Sequence, residues 1–363
     1  MRKLFIFITL SIPLIAGAQF KVTGKIIDSA DKKPIPGATV FLSNASVGTA
    51  TTVDGTFTLS NVRGGQYEMV VSMIGYATYR KTILVNDNIT VPDIFISSKN
   101  IALAEVKIRP DPDWAAHYET FREEFLGTSP YARKCKILNP DLINFHFDKS
   151  TRTLTASSSD YIVVENKALG YKIKYMLQDF SKGYDSGVLY FAGTVFFEQL
   201  PGKESEKKTW EKNRLKVYTG SSMHFLRSVI ANRVSQEGFG VLRLIRETDS
   251  ASKNKVNKQY FEKLVSTPPL TILDFLRLTD TKGLYALAFD NCLYIKHSGK
   301  VIVNSADILN ASGSPTTIIF DKPYAFFDNN GIFSDPSAII YEGAWGRSRV
   351  AELLPVDYEP PQK

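Results

Sequence analysis

The chain has 363 residues, and its 44% hydrophobic and 22% charged content is that of a folded protein and excludes a largely disordered one. This length has room for two domains of ordinary size. The formal net charge of +7 is mild and spread along the chain. Its densest patch, at Lys253, Lys255 and Lys258, predicts a solvated loop, with contact to an anionic surface such as phosphorylated lipid as the alternative.

Residues 1–18 have the three parts of a secretory signal peptide. Arg2 and Lys3 supply positive charge, an apolar run follows from Leu4 to Ile15, and small residues precede Gln19. The apolar run is shorter than the roughly 20 residues that cross a bilayer. We therefore expect an exported protein, periplasmic or peripheral to the outer membrane, without a transmembrane span and without a nucleic-acid partner.

Residues 19–109 predict a small antiparallel β-sandwich. Apolar and polar residues alternate with a period of two, as in strands with one buried face. The predicted strands are Ala38–Leu42, Thr56–Leu59, Tyr67–Met73, Ala77–Val85 and Ile89–Ile96. Turn residues separate them, and Asp54-Gly55 predicts a tight hairpin between two of the strands.

Four motifs in this region resemble, in order and spacing, the carboxypeptidase-regulatory-like domain. They are G-K-I-I-D (24–28), P-I-P-G-A-T-V (34–40), T-x-V-D-G-T-F-T-L (51–59) and S-x-I-G-Y (72–76). The resemblance implies a transthyretin-like sandwich of a kind common in exported proteins of Bacteroidetes-type bacteria. It implies a fold and an envelope setting, and no reaction.

Residues 110–127 predict a linker followed by a helix. The two prolines of Pro110-Asp111-Pro112-Asp113 cannot continue a strand, and Asp113 is in position to cap a helix that Gly127 ends. The helix has one aromatic stripe, which predicts packing in a core, with carbohydrate stacking as the alternative. The stripe consists of Trp114, Tyr118, Phe121 and Phe125.

Residues 128–355 predict a second, β-rich domain, an open barrel or a second sandwich, with a helical insertion at about residues 204–237. The predicted strands are Leu142–Phe147, Thr153–Ala156, Tyr161–Glu165, Tyr171–Leu177, Val188–Phe197, Leu284–Phe289, Leu293–Lys296, Thr316–Phe320, Tyr324–Phe327 and Ala338–Tyr341. Residues 202–208 predict a polar loop, after which the period becomes helical and is interrupted at Gly220. The tail, residues 356–363, is expected to fray.

Part of this second region also resembles a known type of domain. The run Asn213–Arg227, with Glu165–Tyr171 upstream, is similar to a domain of unassigned function that accompanies the regulatory-like domain in proteins of the same bacteria. This resemblance implies no catalytic residue. The fold class is therefore predicted as mainly β, an N-terminal transthyretin-like β-sandwich plus a second β-rich domain with a helical insertion.

The sequence motifs of several enzyme classes are absent. The scattered histidines form no HExxH or HxxE zinc motif, and GxSxG, GxGxxG and P-loop sequences do not occur. Cys135 and Cys292 are too few for an all-cysteine zinc site, which takes four thiolates. We interpret them as separate buried thiols, with a disulfide as the alternative in an oxidising compartment. We expect no cofactor and no metal.

The candidate site is the helix break at Gly220. We interpret it first as a capped helix whose polar residues hold a helix–helix corner. The functional alternative is a pocket for an anion or a sugar acid, because free N–H groups at a helix N-terminus attract anions. Its binding residues would be Arg214, Tyr218, Ser221, Ser222, His224 and Arg227. A hydrolytic pair of Ser221 or Ser222 with His224 is a third interpretation.

The features together predict a non-catalytic exported envelope protein, a binding or accessory module for an outer-membrane protein or a glycan. The alternative is a hydrolase that acts on envelope or imported polymers, with a dispersed active site in the second domain. Two facing carboxylates in a deep cleft, or a Ser–His–acid cluster, would favour the hydrolase. A shallow surface with exposed aromatic residues would favour binding.

Overall fold

The computed structural model describes residues 19–99, 111–248 and 260–361. Within them the chain is mainly β, with a sandwich followed by a second β-rich region that contains a helical insertion, which confirms the predicted fold class. Three predicted features lie outside the described residues. They are the signal peptide at 1–18, the end of the predicted sandwich segment together with Pro110 of the linker, at 100–110, and the basic patch at Lys253–Lys258.

The sandwich is built from short strands in two sheets. The strands are β1 (Gln19–Asp28), β2 (Thr39–Leu42), β3 (Gly48–Ala50), β4 (Thr56–Arg63), β5 (Gly65–Ser72), β6 (Tyr79–Val85), β7 (Ile89–Thr90) and β8 (Ile94–Ile96). One sheet has the order β4-β1-β7, and the other has the order β3-β2-β5-β6. The sandwich is not purely antiparallel as predicted, because β7 and β8 both pair parallel with β1. The predicted inward face is confirmed for Val40, Met69 and Val71, which are fully buried between the sheets. The expected exposed face is not, since Phe41 and Val70 are buried as well.

The hairpin predicted at Asp54-Gly55 is wrong. Strand β3 pairs with β2, and β4 pairs with β1, so this turn carries the chain from one sheet to the other. Glycine is still required at position 55, where φ is +70° and a Cβ would lie 2.6 Å from the Ile26 carbonyl oxygen. A local turn sequence cannot specify the pairing of its flanking strands, because the packing of the two sheets decides it.

Two of the recognised motifs meet in the folded sandwich. The Tyr76 hydroxyl, from S-x-I-G-Y, donates a hydrogen bond of 2.7 Å to the carboxylate of Asp28, from G-K-I-I-D. This bond is the largest cause that holds the pKa of Asp28 below its ordinary value, and the Ala30 backbone N–H adds to it. The bond ties the turn after β5 to the end of β1.

We expect Tyr76→Phe to raise the pKa of Asp28 toward its ordinary value. Because the pKa of Asp28 is lower in the folded state, its carboxylate contributes stability at pH values above the unfolded pKa of about 3.9. That contribution is lost as the pH falls through the pKa of the folded state. An NMR titration of the Asp28 side-chain carboxyl carbon measures the change, with Tyr79→Phe as the control. An unchanged Asp28 pKa in Tyr76→Phe would show that backbone donors alone depress it.

The second region begins with a helix packed on a sheet. The elements are α1 (Trp114–Leu126), β9 (Cys135–Ile137), β10 (Ile143–Asp148), β11 (Thr153–Ser158), β12 (Ile162–Asn166), β13 (Tyr171–Gly183) and β14 (Leu189–Gln199). The sheet has the order β10-β11-β13-β12-β9, and β14 pairs with β13 along its length.

The aromatic stripe of α1 packs on this sheet. Phe121 and Phe125 are fully buried, which confirms the core interpretation for them, while Trp114 and Tyr118 stack at 5.0 Å and are half-buried. The predicted side-chain cap is wrong, since Asp113 makes no cap hydrogen bond. Asp111 accepts from the Asp113 N–H instead, at 3.0 Å.

The helical insertion consists of α2 (Glu204–Tyr218) and α3 (Ser222–Ile230). The prediction of a polar loop at 202–208 is therefore wrong from Glu204 onward, where α2 begins. The Glu206 carboxylate accepts from the Lys203 backbone N–H at 2.8 Å, and acidic residues in a first helical turn are favoured by the helix dipole. Polar composition alone does not separate such a charged first turn from a loop.

The remaining elements form two sheets around a common core. They are β15 (Phe239–Thr248), β16 (Tyr260–Val265), α4 (Ile272–Phe275), β17 (Leu276–Leu278), β18 (Leu284–Leu287), β19 (Cys292–His297), α5 (Ser305–Asn310), β20 (Thr316–Phe320), β21 (Ala325–Asp328) and β22 (Ile339–Gly343). The sheet orders are β16-β15-β19-β20-β22 and β17-β18-β21. The sequence analysis missed β15 and β16.

The second region is therefore not a single barrel or sandwich. Its described residues form one large core around the β13 sheet and α1, and another between the two later sheets. Helix α3 joins them, because Met223 packs in the first core whereas Phe225 and Leu226 pack in the second. The helical insertion thus connects two β layers that the sequence analysis treated as one.

The expectation that the C-terminal tail frays is wrong for its described residues. Val356 is 3% exposed, lies in the sandwich core and donates its N–H to the Asn44 carbonyl at 2.7 Å. The Asp357 carboxylate accepts from the Ser46 N–H at 2.8 Å and from the Ser46 hydroxyl. The tail therefore fastens the sandwich to the second region.

The two cysteines are free thiols in the structure, as the favoured interpretation predicts. Cys135 is half-buried, and burial raises the pKa of its thiol to about 12. Cys292 is buried on β19. Both side chains therefore act as small packing groups.

Candidate functional site

The break between α2 and α3 forms one wall of a cleft. Gly220 has φ +80°, and the Ser221 hydroxyl caps α3 by accepting from the His224 backbone N–H at 3.2 Å. The Gly220 N–H donates to His224 Nδ1 at 3.1 Å, and Trp345 Nε1–H donates to the Gly220 carbonyl at 2.7 Å. The break is therefore held in place from both sides.

The cleft beside this break has a volume of about 740 Å³. Its lining includes Tyr218, His224 and Arg227, and also Arg233, Glu237, His297, Lys300 and the tail residues Pro360 and Pro361. Among the described lining residues, three side chains carry a permanent positive charge and one carries a carboxylate. The cleft is thus a basic one, which favours an anionic group. We refer to it below as the basic cleft.

The predicted site residues do not all meet there. Tyr218, His224 and Arg227 line the basic cleft, and Ser221 caps the helix beside it. The Ser222 side chain lies next to Tyr341.

Arg214 belongs to a different contact. Its Nε donates to the Leu169 carbonyl at 2.7 Å, and its guanidinium lies 4.0 Å from the Tyr171 ring centroid. It fastens α2 to the turn between β12 and β13.

Arg227 is the most heavily bonded of the predicted residues. Its Nε donates to the Asn330 carbonyl at 2.9 Å, Nη1 to the Tyr358 carbonyl at 2.9 Å and Nη2 to the Val356 carbonyl at 2.7 Å. Burial is the largest cause that lowers its pKa, and the Tyr218 side chain beside it acts in the opposite direction. Arg227 therefore forms the floor of the basic cleft and holds the C-terminal tail at the same time.

His224 sits between the helix break and the opposite wall. Its Nε2 is 3.5 Å from Glu237 Oε2, and its ring centroid is 4.8 Å from that of Tyr218 and 5.7 Å from that of His297. His297 Nε2 lies 3.1 Å from the Glu237 backbone carbonyl. The ring is thus packed between polar and aromatic neighbours on the wall of the basic cleft.

The contacts of Ser221 and His224 differ from those of a hydrolytic pair. The Ser221 hydroxyl serves a backbone N–H, while the two ring nitrogens of His224 face the Gly220 N–H and Glu237. A nucleophile needs its hydroxyl directed at the nitrogen of a base. The arrangement around Ser221 is that of a cap.

The residues on the far wall were missed by the sequence analysis. Arg233, Glu237, His297 and Lys300 follow α3 or lie around the end of β19. Residues so far apart in sequence carry no common spacing. Only the pairing of β15 with β19 brings them together, with Phe239 opposite His297.

A second cavity lies between the sandwich and the second region and measures about 300 Å³. Strands β5 and β6 line one side, β13 and β14 another, and the segment after β21 a third. Two carboxylates line it, from Glu68 and Asp328. Asp328 Oδ1 accepts from the Asn330 and Ile332 N–H groups at 3.0 and 3.2 Å, so this carboxylate stabilises the turn that follows it. We refer to this space as the interdomain cavity.

Metal-binding clusters and membrane-spanning helices are both absent from the described ranges, 19–99, 111–248 and 260–361. No group of three or more His, Cys, Asp or Glu side chains is arranged to hold a metal ion. No helix in these ranges has the length and apolar character needed to cross a membrane.

The sandwich can be assigned to a family. Residues 22–108 match the CarboxypepD_reg-like domain family, which confirms the resemblance of the four motifs. The N-terminal sandwich is a CarboxypepD_reg-like domain. No functionally curated protein is similar to the chain.

Solved structures show weaker likenesses. A type II cohesin–X-dockerin complex from Acetivibrio cellulolyticus is 20% identical over 23% of this chain and 62% of that chain, with a TM-score of 0.22. Catechol 1,2-dioxygenase from Pseudomonas arvilla is 14% identical over 25% of this chain and 56% of that chain, with a TM-score of 0.20. A DUF3823 family protein from Bacteroides ovatus is 9% identical over 78% of this chain and 93% of that chain, with a TM-score of 0.19.

These likenesses assign no function to the chain, because every one of these TM-scores is low. The chain spans 62%, 58% and 41% of the length of the first three similar structures.

Proposed function

We propose that the protein is an exported, non-catalytic binding module of the cell envelope, and that the basic cleft binds an acidic group of a glycan, such as a sugar acid. The observation that carries the proposal is the lining of the cleft, which includes Arg227, Arg233 and Lys300 but one carboxylate, that of Glu237, among the described residues. Cationic side chains on the walls of a cleft concentrate anions there.

The contacts within the basic cleft support binding rather than hydrolysis. Ser221 and His224 hold the helix break, and Arg227 holds the tail. Such groups give a rigid wall, and a rigid wall lowers the entropic cost of binding a ligand. Lys300 is exposed among the lining residues, where it can pair with a carboxylate of the ligand, whereas Arg233 already pairs with Glu237 at 3.1 Å.

The junction with the sandwich supports an accessory role. The Asn44 N–H donates to the Val195 carbonyl at 2.7 Å, and the Phe197 N–H donates to the Ala45 carbonyl at 3.2 Å. Phe41 is 2% exposed and packs with its ring centroid 5.0 Å from that of Phe196. The CarboxypepD_reg-like domain thus serves as a fixed spacer that presents the basic cleft at a defined orientation.

Calorimetric titration of the mature chain with oligosaccharides tests the proposal. We expect a uronic-acid oligosaccharide to bind, a neutral oligosaccharide of the same length not to bind, and the affinity to fall as salt is raised. Lys300→Gln should weaken binding by about threefold to tenfold, or about 0.7–1.4 kcal/mol. Lys149→Gln, an exposed lysine on the β10–β11 turn, is the matched control and should leave the affinity unchanged.

Two outcomes would contradict the proposal. Equal binding of neutral and acidic oligosaccharides would remove the role of charge, and release of shorter sugars would make the protein a hydrolase. Cross-linking in intact cells distinguishes the class of partner. A stoichiometric outer-membrane protein cross-linked at the basic cleft would replace the glycan as its ligand.

A further inference from the structure

The interdomain cavity differs in chemistry from the basic cleft. No lysine, arginine or histidine is among the described residues that line it, and its polar groups are amides, hydroxyls and carboxylates. Gln66 and Glu68 come from β5, Thr82 from β6, and Gln178 and Thr194 from β13 and β14. Such a lining offers both donors and acceptors and provides no cation to pair with an anion.

Several of these groups have hydrogen-bonding capacity left. Gln178 Nε2 donates to the Thr194 hydroxyl at 3.4 Å, and that hydroxyl donates to Glu68 Oε2, also at 3.4 Å. Both distances exceed the usual range for a hydrogen bond, so the contacts are weak. A ligand hydroxyl placed between these side chains would make shorter bonds to them.

One deeply buried polar group on the wall is also incompletely satisfied. Tyr67 is 4% exposed, and its hydroxyl has no hydrogen-bond partner of normal geometry within the described residues, although the Asn330 side chain lies beside it. Burial raises the pKa of Tyr67 to about 12, so the phenol is neutral and can donate. An unsatisfied buried hydroxyl costs free energy.

The size and shape of the cavity limit the ligand. At about 300 Å³ the cavity is at the small end of small-molecule sites, which span about 300–1,000 Å³ and occur preferentially at domain interfaces. Phe333 adds an aromatic side chain to the lining. Of the two carboxylates in the lining, that of Asp328 already accepts from two backbone N–H groups, and burial raises its pKa, which leaves Glu68 to accept from a ligand hydroxyl. A ligand with many hydroxyl groups, no charge and one apolar face fits this combination, and a single sugar ring has all three properties.

We propose that the interdomain cavity is a second binding site, for one neutral sugar residue held between the CarboxypepD_reg-like domain and the second region. Gln66, Gln178 and Glu68 bind its hydroxyl groups, and Phe333 packs on its C–H face. The proposal does not rest on the function of the basic cleft, because the two spaces share no lining residue among those described.

Saturation-transfer NMR of the mature full-length chain tests this site. The probes are the methyl glycosides of glucose, galactose, mannose and N-acetylglucosamine, with glucuronic acid and glucosamine as the charged counterparts. We expect at least one neutral glycoside to bind. Glu68→Gln and Gln178→Ala should each weaken its binding by about tenfold, equivalent to about 1.4 kcal/mol.

Gln199→Ala is the matched control, because Gln199 is exposed at the end of β14 and lies outside the lining of the cavity. It should leave the affinity unchanged. The proposal is overturned if none of the four neutral glycosides binds, or if glucosamine or glucuronic acid binds better than all of them. It is also overturned if Glu68→Gln and Gln178→Ala bind as well as the control, or if the methyl glycosides are cleaved.

Discussion

Replacing Arg227 with methionine should lower the free energy of unfolding by about 3–5 kcal/mol, because three backbone carbonyls lose their donor and an unsatisfied buried acceptor costs about 1–3 kcal/mol. The substitution keeps an apolar side chain in the space and removes the donors to three backbone carbonyls, those of Asn330, Val356 and Tyr358. Buried acceptors left without a donor are each costly. Urea denaturation measures the loss.

A second readout separates a local effect from a global one. Two of the three carbonyls belong to the C-terminal tail, so protease should cut the tail of Arg227→Met faster than that of the parent protein. Arg233→Met is the control, because the Arg233 side chain is 62% exposed and pairs with Glu237 at 3.1 Å. It should cost less than about 1 kcal/mol. Equal losses of unfolding free energy for the two variants would show that the hydrogen bonds from Arg227 do not stabilise the tail.

Replacing Gly170 with alanine should destabilise the protein by about 2–5 kcal/mol. Gly170 has φ +71°, a conformation that costs about 1–2 kcal/mol for a residue with a Cβ. The new Cβ would also lie 2.2 Å from Trp210 Cδ2, and overpacking of this kind costs about 1–3 kcal/mol. The midpoint of urea denaturation reports the sum.

Trp210 cannot move away at low cost. Its Nε1–H donates to the Lys167 carbonyl at 3.0 Å, and its far edge faces Gly202, where a Cβ would lie 2.3 Å from Cη2. Gly187→Ala is the matched control, because φ is +67° there and nothing lies within 4 Å of the Cβ. Gly187→Ala should show only the conformational part of the destabilisation, about 1–2 kcal/mol. If the two substitutions cost the same, the close packing of Trp210 on Gly170 contributes nothing.

These two predictions concern the same part of the fold. Trp210 and Arg214 hold α2 on the turn between β12 and β13, and Arg227 on α3 holds the tail. The basic cleft is lined by residues of both helices, among them Tyr218 of α2 and Arg227 of α3. Its geometry therefore depends on contacts between elements that are far apart along the chain.

The sandwich was the most predictable part of the molecule. A buried face every second residue is a local property, and it correctly placed Val40, Met69 and Val71 in the core. The same reasoning missed β15, although Val241 and Leu242 are both buried. Layers that cover both faces of a strand remove the alternation on which such a prediction depends.

The candidate site likewise has one part that the sequence predicts and another that it does not. The glycine at the break and the Ser221 cap were visible as local signals, because a helix terminus must satisfy its own N–H groups. Arg233, His297 and Lys300 were not visible, because strand pairing and the position of α3 bring them to the cleft. The tail was misread for a related reason, since its partners Asn44 and Arg227 lie far away in sequence.

The sequence by itself determined the class of the N-terminal domain, the mainly β fold and the position of the helix break. Each of these depends on residues close together in the chain, through side-chain period, turn conformation and helix capping. Tertiary structure alone decided the sheet crossing at Gly55, the two cores of the second region, the clamp on the tail and the lining of both cavities. Those features depend on packing between elements that are far apart in the sequence, and no local pattern specifies which distant element packs on a given surface.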